Sequence, residues 1–157
     1  MNILYHGSGY KHTELKPGIE HSGKKKEWDK GESNEYLYAT SVRDEAISQA
    51  FASVLEEHYT LNRYQTTGDT IKATFGGDKK PTQAQVAGHK VYLYTLVNKE
   101  EDKWEKNTNK HNGLETEWKT KSTIKKGILK VDEVDLEKWL KGKKLSISME
   151  SLTSLRW

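Results

Sequence analysis

The chain has 157 residues, with 26 Lys and Arg against 23 Asp and Glu and a formal net charge of +3. That length suits one hydrophobic core, so a single domain over residues 1–157 is expected, and the near-balance of charge creates no global field that demands nucleic acid or anionic lipid. The hydrophobic fraction is only 33%, yet five Trp, eight Tyr and two Phe supply large apolar surfaces, and the absence of cysteine excludes disulfides, thiolate metal sites and a cysteine nucleophile.

Residues Ile3 to Tyr5 read as a short buried strand, and Leu15-Lys16-Pro17-Gly18 closes the following segment with a turn. The stretch Glu20 to Asn34 is rich in Lys, Glu, Gly and Ser and reads as an exposed loop that covers a cleft, with Trp28 as its apolar anchor. Tyr36 to Thr40 is a second strand. Ser41 is placed to cap a helix in which Val42, Ala46, Gln49, Ala50 and Val54 recur at helical spacing. Thr70 to Phe75 alternates like a strand, and Gly76 to Pro81 is turn material. Lys90 to Val97 has the strongest strand pattern in the chain. Glu117 to Lys119 and Ile124 to Val131 add strand material, and Val134 to Leu140 reads as a helix with Asp132 or Asp135 near its start. The expectation is an α+β domain built on a mixed sheet.

Two segments carry chemistry. The strand ending in His6-Gly7-Ser8 offers an imidazole and a hydroxyl beside a glycine that lets a ligand approach the backbone. The strand Tyr36-Leu37-Tyr38-Ala39-Thr40 adds aromatic faces. Taken singly, His6 is most simply a strand-end histidine satisfying a carbonyl, Tyr38 a β-forming core aromatic and Glu117 one strand carboxylate among many. Their combination points to a nucleotide cleft. The other histidines, His12, His21, His58, His89 and His111, lack metal-ligand spacing, so no metal is expected. Neither GxGxxG nor GxxxxGK[ST] occurs, which argues against a Rossmann or P-loop nucleotide site.

In this order the motifs resemble the ADP-ribosyltransferase superfamily of the His-Tyr-Glu type, including poly-ADP-ribose polymerase catalytic domains and the small rifampin ADP-ribosyltransferases. The resemblance rests on His6-Gly7-Ser8, on the Leu15-Lys16-Pro17-Gly18 turn, on Tyr38-Ala39-Thr40 followed by Asp44-Glu45-Ala46, and on Glu117-Trp118 entering a late strand. It implies a mixed, mainly antiparallel split sheet with flanking helices. It also implies NAD+ as co-substrate, with His6, Gly7, Ser8, Tyr38 and Thr40 around the donor. His6 would hold the ribose, Tyr38 would pack on the nicotinamide ring, and Glu117 would bond the ribose hydroxyl or orient the acceptor. The rifampin-modifying branch has an acidic residue soon after the strand matching Val91 to Tyr94, where Glu100-Glu101-Asp102 stands here. Asp102 is therefore the alternative to Glu117 as third catalytic residue.

Under this resemblance the function is NAD+-dependent ADP-ribosyl transfer, or NAD+ glycohydrolysis, toward an unknown acceptor: protein, nucleic acid or small molecule. A chain of this size suits a toxin, an antibiotic-modifying enzyme or a phage effector. The alternatives are a catalytically silent relative that binds a nucleotide, an ADP-ribose-like ligand or a protein, and a small nucleic-acid-binding protein using Lys24 to Lys26, Lys141 to Lys144, Trp28, Tyr36 and Trp139. Met1 to His6 has no basic and apolar leader, and no window approaches the roughly 20 apolar residues of a membrane span. A cytoplasmic protein without a membrane partner is expected.

Overall fold

The computed structural model describes residues 2–18, 36–55, 60–67, 70–76, 88–107, 117–141 and 144–150. Strand β1 is Ile3–Ser8. Leu4, His6 and Ser8 are buried on one side of its pleat, and Ile3, Tyr5 and Gly7 are half-buried on the other, the alternation of a strand with something packed on both faces. Strand β2 is Leu37–Thr40, and helix α1 is Arg43–Leu55. Strands β3 (Thr60–Thr67), β4 (Thr70–Gly76) and β5 (Lys90–Val97) follow. A 3-10 turn at Glu100–Asp102 leads to β6 (Glu105–Lys106), β7 (Glu117–Thr120) and β8 (Ile128–Asp135). Helix α2 is Leu136–Lys141 and strand β9 is Lys144–Glu150.

Six strands form an antiparallel sheet in the order β6-β7-β2-β1-β5-β8. A second sheet has the order β3-β4-β9, with β4 and β9 parallel. The class is α+β, as the pattern of strands and helices led one to expect, and the described residues hold few helices. Among the described residues no helix is long and apolar enough to cross a membrane.

One face of the larger sheet buries Leu4, Leu37, Ala39, Tyr94 and Leu96 under Leu15, Trp104 and Ile124. The turn at Leu15 to Gly18 is pinned there, because Leu15 and Ile124 exchange backbone hydrogen bonds of 2.9 and 2.8 Å. Gly18 closes it with φ +87°, a conformation that costs glycine little. The other face packs Leu93 and Tyr5 against Ala46 and Ile47 of α1 and against Trp139 of α2. Trp139 also donates its indole N–H to Asp44 at 3.3 Å, so this ring ties the two helices together.

The boundaries depart from the pattern reading in instructive places. β1 runs through Ser8 because six of its residues pair with β5. Helix α1 starts at Arg43, and the side chain that braces its entry is Thr40, whose hydroxyl accepts the Val42 N–H at 3.1 Å. Val42 is exposed, and the buried face of α1 is Ala46, Ile47, Ala50 and Phe51. The material from Ile124 to Val131 divides into a one-residue bridge, a turn and the start of β8. Helix α2 begins at Leu136, and Asp135 accepts the Lys138 N–H at 3.1 Å in the manner of a cap. The covering loop over Glu20 to Asn34, with Trp28 and Lys24 to Lys26, lies outside the described residues.

Candidate functional site

The site is set by how little β1 and β2 pair. Their ladder consists of the single pair Tyr5↔Thr40, whereas β1 and β5 pair from Ile3↔Val97 to Ser8↔Tyr92. One residue past that pair a side chain replaces the ladder: Nδ1–H of His6 donates to the Tyr38 carbonyl at 2.6 Å. A carbonyl only accepts, so Nδ1 carries the proton, and in the neutral ring the lone pair is left on Nε2. His6 is 5% exposed, and its ring lies 6.1 Å from that of Tyr94.

On its other side β2 pairs fully with β7, Thr40 facing Glu117 and Tyr38 facing Lys119. Tyr5, Thr40 and Glu117 thus form one row across three strands, and Tyr38 is the diagonal neighbour of Glu117 on the same face. The alternation puts the His6 Cβ on the opposite face from Tyr5 and Glu117. Only its ring comes toward β2, at the Tyr38 backbone.

Each of these side chains is fixed by a neighbour. The Glu117 carboxylate, 6% exposed, accepts from the Asn107 side-chain amide at 2.5 Å, while the Asn107 backbone N–H donates to the Glu117 carbonyl at 2.8 Å. Thr40 donates its hydroxyl to Glu45 at 2.7 Å, which brings a second carboxylate beside the row. The half-buried Tyr38 ring lies 6.2 Å from that of Tyr36. Gly7 stands where α1 crosses β1, and a Cβ there would come within 1.9 Å of the Ala46 carbonyl oxygen. Only glycine permits that approach.

Beyond Gly7 the chain is tied down tightly. Ser8 Oγ accepts the Tyr10 N–H at 3.1 Å and lies 3.4 Å from His12 Nε2. The Tyr94 hydroxyl accepts the His12 N–H and reaches the Tyr10 carbonyl at 3.3 Å. Burial pushes the Tyr94 phenol above its ordinary value, against the opposing effect of the His12 backbone bond.

Asp102 stands elsewhere. It ends the 3-10 turn after β5, its backbone carbonyl takes the Thr120 hydroxyl, and its Oδ2 packs so close to Gly127 that a Cβ there would be 2.9 Å away. That oxygen is buried without a hydrogen-bond partner. Burial above all, helped by Glu101, raises the carboxyl above its ordinary 3.8, with Lys99 opposing.

His6, Tyr38, Thr40 and Glu117 are thus gathered on the adjacent strands β1, β2 and β7, with Gly7 and Ser8 continuing β1. Asp102 is not in their row. Asn107, His12 and Tyr94 join the site through contacts that no motif in the sequence marks, and Glu45, from the Asp44-Glu45-Ala46 motif, joins it through Thr40. Among the described residues no group of three His, Cys, Asp or Glu could hold a metal ion. No protein-family model, curated protein or solved structure matches the chain.

Proposed function

We propose that the chain is an NAD+-dependent ADP-ribosyltransferase of the His-Tyr-Glu type, with the split-sheet fold of that superfamily and a cytoplasmic location, acting as an NAD+ glycohydrolase when water is the acceptor. The observation that carries this reading is the strand order β7-β2-β1. It sets His6, Tyr38 and Glu117, residues widely separated in the chain, on three consecutive strands beside a β1–β2 ladder of a single pair, with the His6 ring reaching the Tyr38 backbone from the opposite face.

Cleaving the nicotinamide–ribose bond develops positive charge on the sugar, much as glycoside hydrolysis does. A carboxylate fixed in a dry setting stabilises that charge without reorganising. Glu117 fits this task, since Asn107 holds one oxygen and burial excludes most solvent. Nδ1 of His6 is committed to the Tyr38 carbonyl, which fixes the ring between β1 and β2, and a ribose hydroxyl would reach the buried Nε2 only where these two strands part. The Tyr38 ring supplies an apolar face for the nicotinamide, and Gly7 and Ser8 supply close-approach backbone and a hydroxyl. Asp102 is the lesser candidate because its carboxyl lies outside the row, packed against Gly127.

The test is nicotinamide release from NAD+ by the purified chain, alone and with cell lysate, alongside Glu117→Gln and Asp102→Asn. Release lost in Glu117→Gln and kept in Asp102→Asn is the expected result. NAD+ binding without release from the wild type would favour the catalytically silent reading, in which the same cleft only holds a nucleotide.

A further inference from the structure

Among the described side chains Glu117 is the one buried carboxylate. An acid taken out of water is costly unless hydrogen bonds replace its hydration, so the groups that bond it decide where its charge sits. The β6–β7 ladder pairs Glu105 with Lys119 and Lys106 with Trp118. One step further along, Asn107 stands opposite Glu117, and the row of polar residues runs over Tyr5, Thr40, Glu117 and Asn107. Side chains directly opposite on an antiparallel pair share a face, with Cβ atoms about 4.5–5.5 Å apart. That spacing lets an asparagine amide meet a glutamate carboxylate.

Asn107 holds Glu117 at both ends. Its backbone N–H donates to the Glu117 carbonyl at 2.8 Å, and its side-chain amide donates to Oε1 at 2.5 Å. Two bonds from one residue close a ring through both backbones, and the ring leaves the glutamate few rotamers. The fit depends on length, since a side chain one methylene longer carries the amide past Oε1 unless it leaves its staggered wells. Asn107 is as deeply buried as Glu117, each being 6% exposed, and a hydrogen bond in such dry surroundings is stronger than one in water.

Resting on the reading given under Proposed function, we infer that Asn107 is a positioning residue of the reaction: it aims the Glu117 carboxylate, and that aim sets how well the sugar cation is stabilised. In the step it serves, the C1′–N bond to nicotinamide breaks and its electron pair stays on the pyridinium nitrogen, which becomes neutral. Positive charge then lies on C1′ and the ring oxygen. A lone pair of the acceptor, water in the glycohydrolase reaction, forms the new bond to C1′, and the proton of that water passes to solvent. Charge placed in advance acts without reorganising at the moment of reaction, so a carboxylate free to turn stabilises the cation less although its charge is unaltered. Asn107 touches neither donor nor acceptor and acts only through Glu117.

The experiment measures two ligands on the full chain by calorimetry. One is ADP-ribose, neutral at the ribose ring. The other is its pyrrolidine analogue, in which a protonated nitrogen in the ring puts positive charge close to where the reaction develops it. Nicotinamide release from NAD+ is followed in parallel, and thermal melts check folding. The wild type should bind the cationic ligand at least ten-fold more tightly than the neutral one. Asn107→Leu, which keeps the bulk and removes the donor, should lose most of that preference while ADP-ribose affinity stays within two-fold. Asn107→Gln, which keeps the amide on a longer arm, should lose several-fold of it, and kcat should fall in step with the preference in both. Each variant tests the inference by itself, so one that folds is enough. Preference and kcat retained in the variants would overturn the inference and leave the transferase reading intact. Equal losses of affinity for the two ligands would overturn it too, as the mark of a role in folding alone. A wild type with no preference for the cation and no nicotinamide release would sink the transferase reading and the role of Asn107 with it.

Discussion

The imidazole of His6 donates to the backbone carbonyl of Tyr38 at 2.6 Å, at the level where the ladder between β1 and β2 has already ended. One side chain thereby holds together two strands whose remaining backbone groups do not pair with each other. Replacing His6 by Ala removes a hydrogen bond at the part-buried Tyr38 carbonyl, a loss of about 0.5–1.5 kcal/mol. Urea denaturation of His6→Ala should show that loss, and its KM for NAD+ should rise along with a fall in kcat. A variant with wild-type stability and wild-type KM would remove His6 from both roles.

Glu117→Gln keeps the shape of the side chain and removes the charge. If the carboxylate acts on a developing oxocarbenium ion, kcat should fall about 10²- to 10³-fold, the size seen when one electrostatic stabiliser is lost, while NAD+ affinity measured by calorimetry changes little. A parallel loss of affinity and rate would mean that Glu117 merely binds the substrate.

Asn107→Ala removes the amide that holds the Glu117 carboxylate. A hydrogen bond to a charged group is worth about 1.5–3 kcal/mol, so kcat should fall about ten-fold or more with KM for NAD+ nearly constant. Asn107→Ser, which restores a smaller donor, should recover part of the rate. Equal losses in both variants, accompanied by a lower melting temperature, would show a structural role alone.

Gly7→Ala tests the crossing of α1 over β1. Its Cβ would stand 1.9 Å from the Ala46 carbonyl oxygen, a backbone atom that cannot rotate away. Helix α1 must then lift from the sheet, at a cost at or above the roughly 1–3 kcal/mol of ordinary overpacking. Thermal melts should show a clear fall, and a variant melting like the wild type would mean that the helix moves freely over the strand.

The parts of this fold legible in the sequence are those whose apolar pattern is local. β5 is legible from Lys90 to Val97 because its β-branched and aromatic residues are contiguous, and Val91, Leu93, Tyr94 and Leu96 are all buried. β4 is legible from the alternation of Thr70 to Phe75, and the body of α1 from the helical spacing of its apolar residues. β3, with Asn62, Arg63 and Gln65 in its middle, carries no clean alternation and is defined by its pairing with β4, whereas β9 alternates Leu145, Ile147 and Met149 with polar residues but finds its parallel partner β4 only far along the chain. At the site, His6, Tyr38 and Glu117 were found through motifs, but their adjacency comes from the strand order, which no local pattern encodes. Asn107 sits in a polar run with nothing to distinguish it, and only its two hydrogen bonds to Glu117 reveal it.

Asp102 gives a prediction with a pH signature. Its folded-state pKa is raised, chiefly by burial, so the stability tied to its neutral form is fully present below the ordinary 3.8 and is lost as pH climbs through the raised value. At neutral pH the native state carries a charge on a carboxyl whose buried Oδ2 lacks a partner beside Gly127. Asp102→Asn removes the charge and keeps the shape, with the amide oxygen able to take the Oδ2 position. The variant should melt higher than wild type at pH 7, and the gap should close as pH falls toward and below 3.8. Nicotinamide release should survive the substitution. A destabilised variant at pH 7, or a gap that does not change with pH, would show that the carboxylate is satisfied as a charge, and lost release would return Asp102 to the reaction.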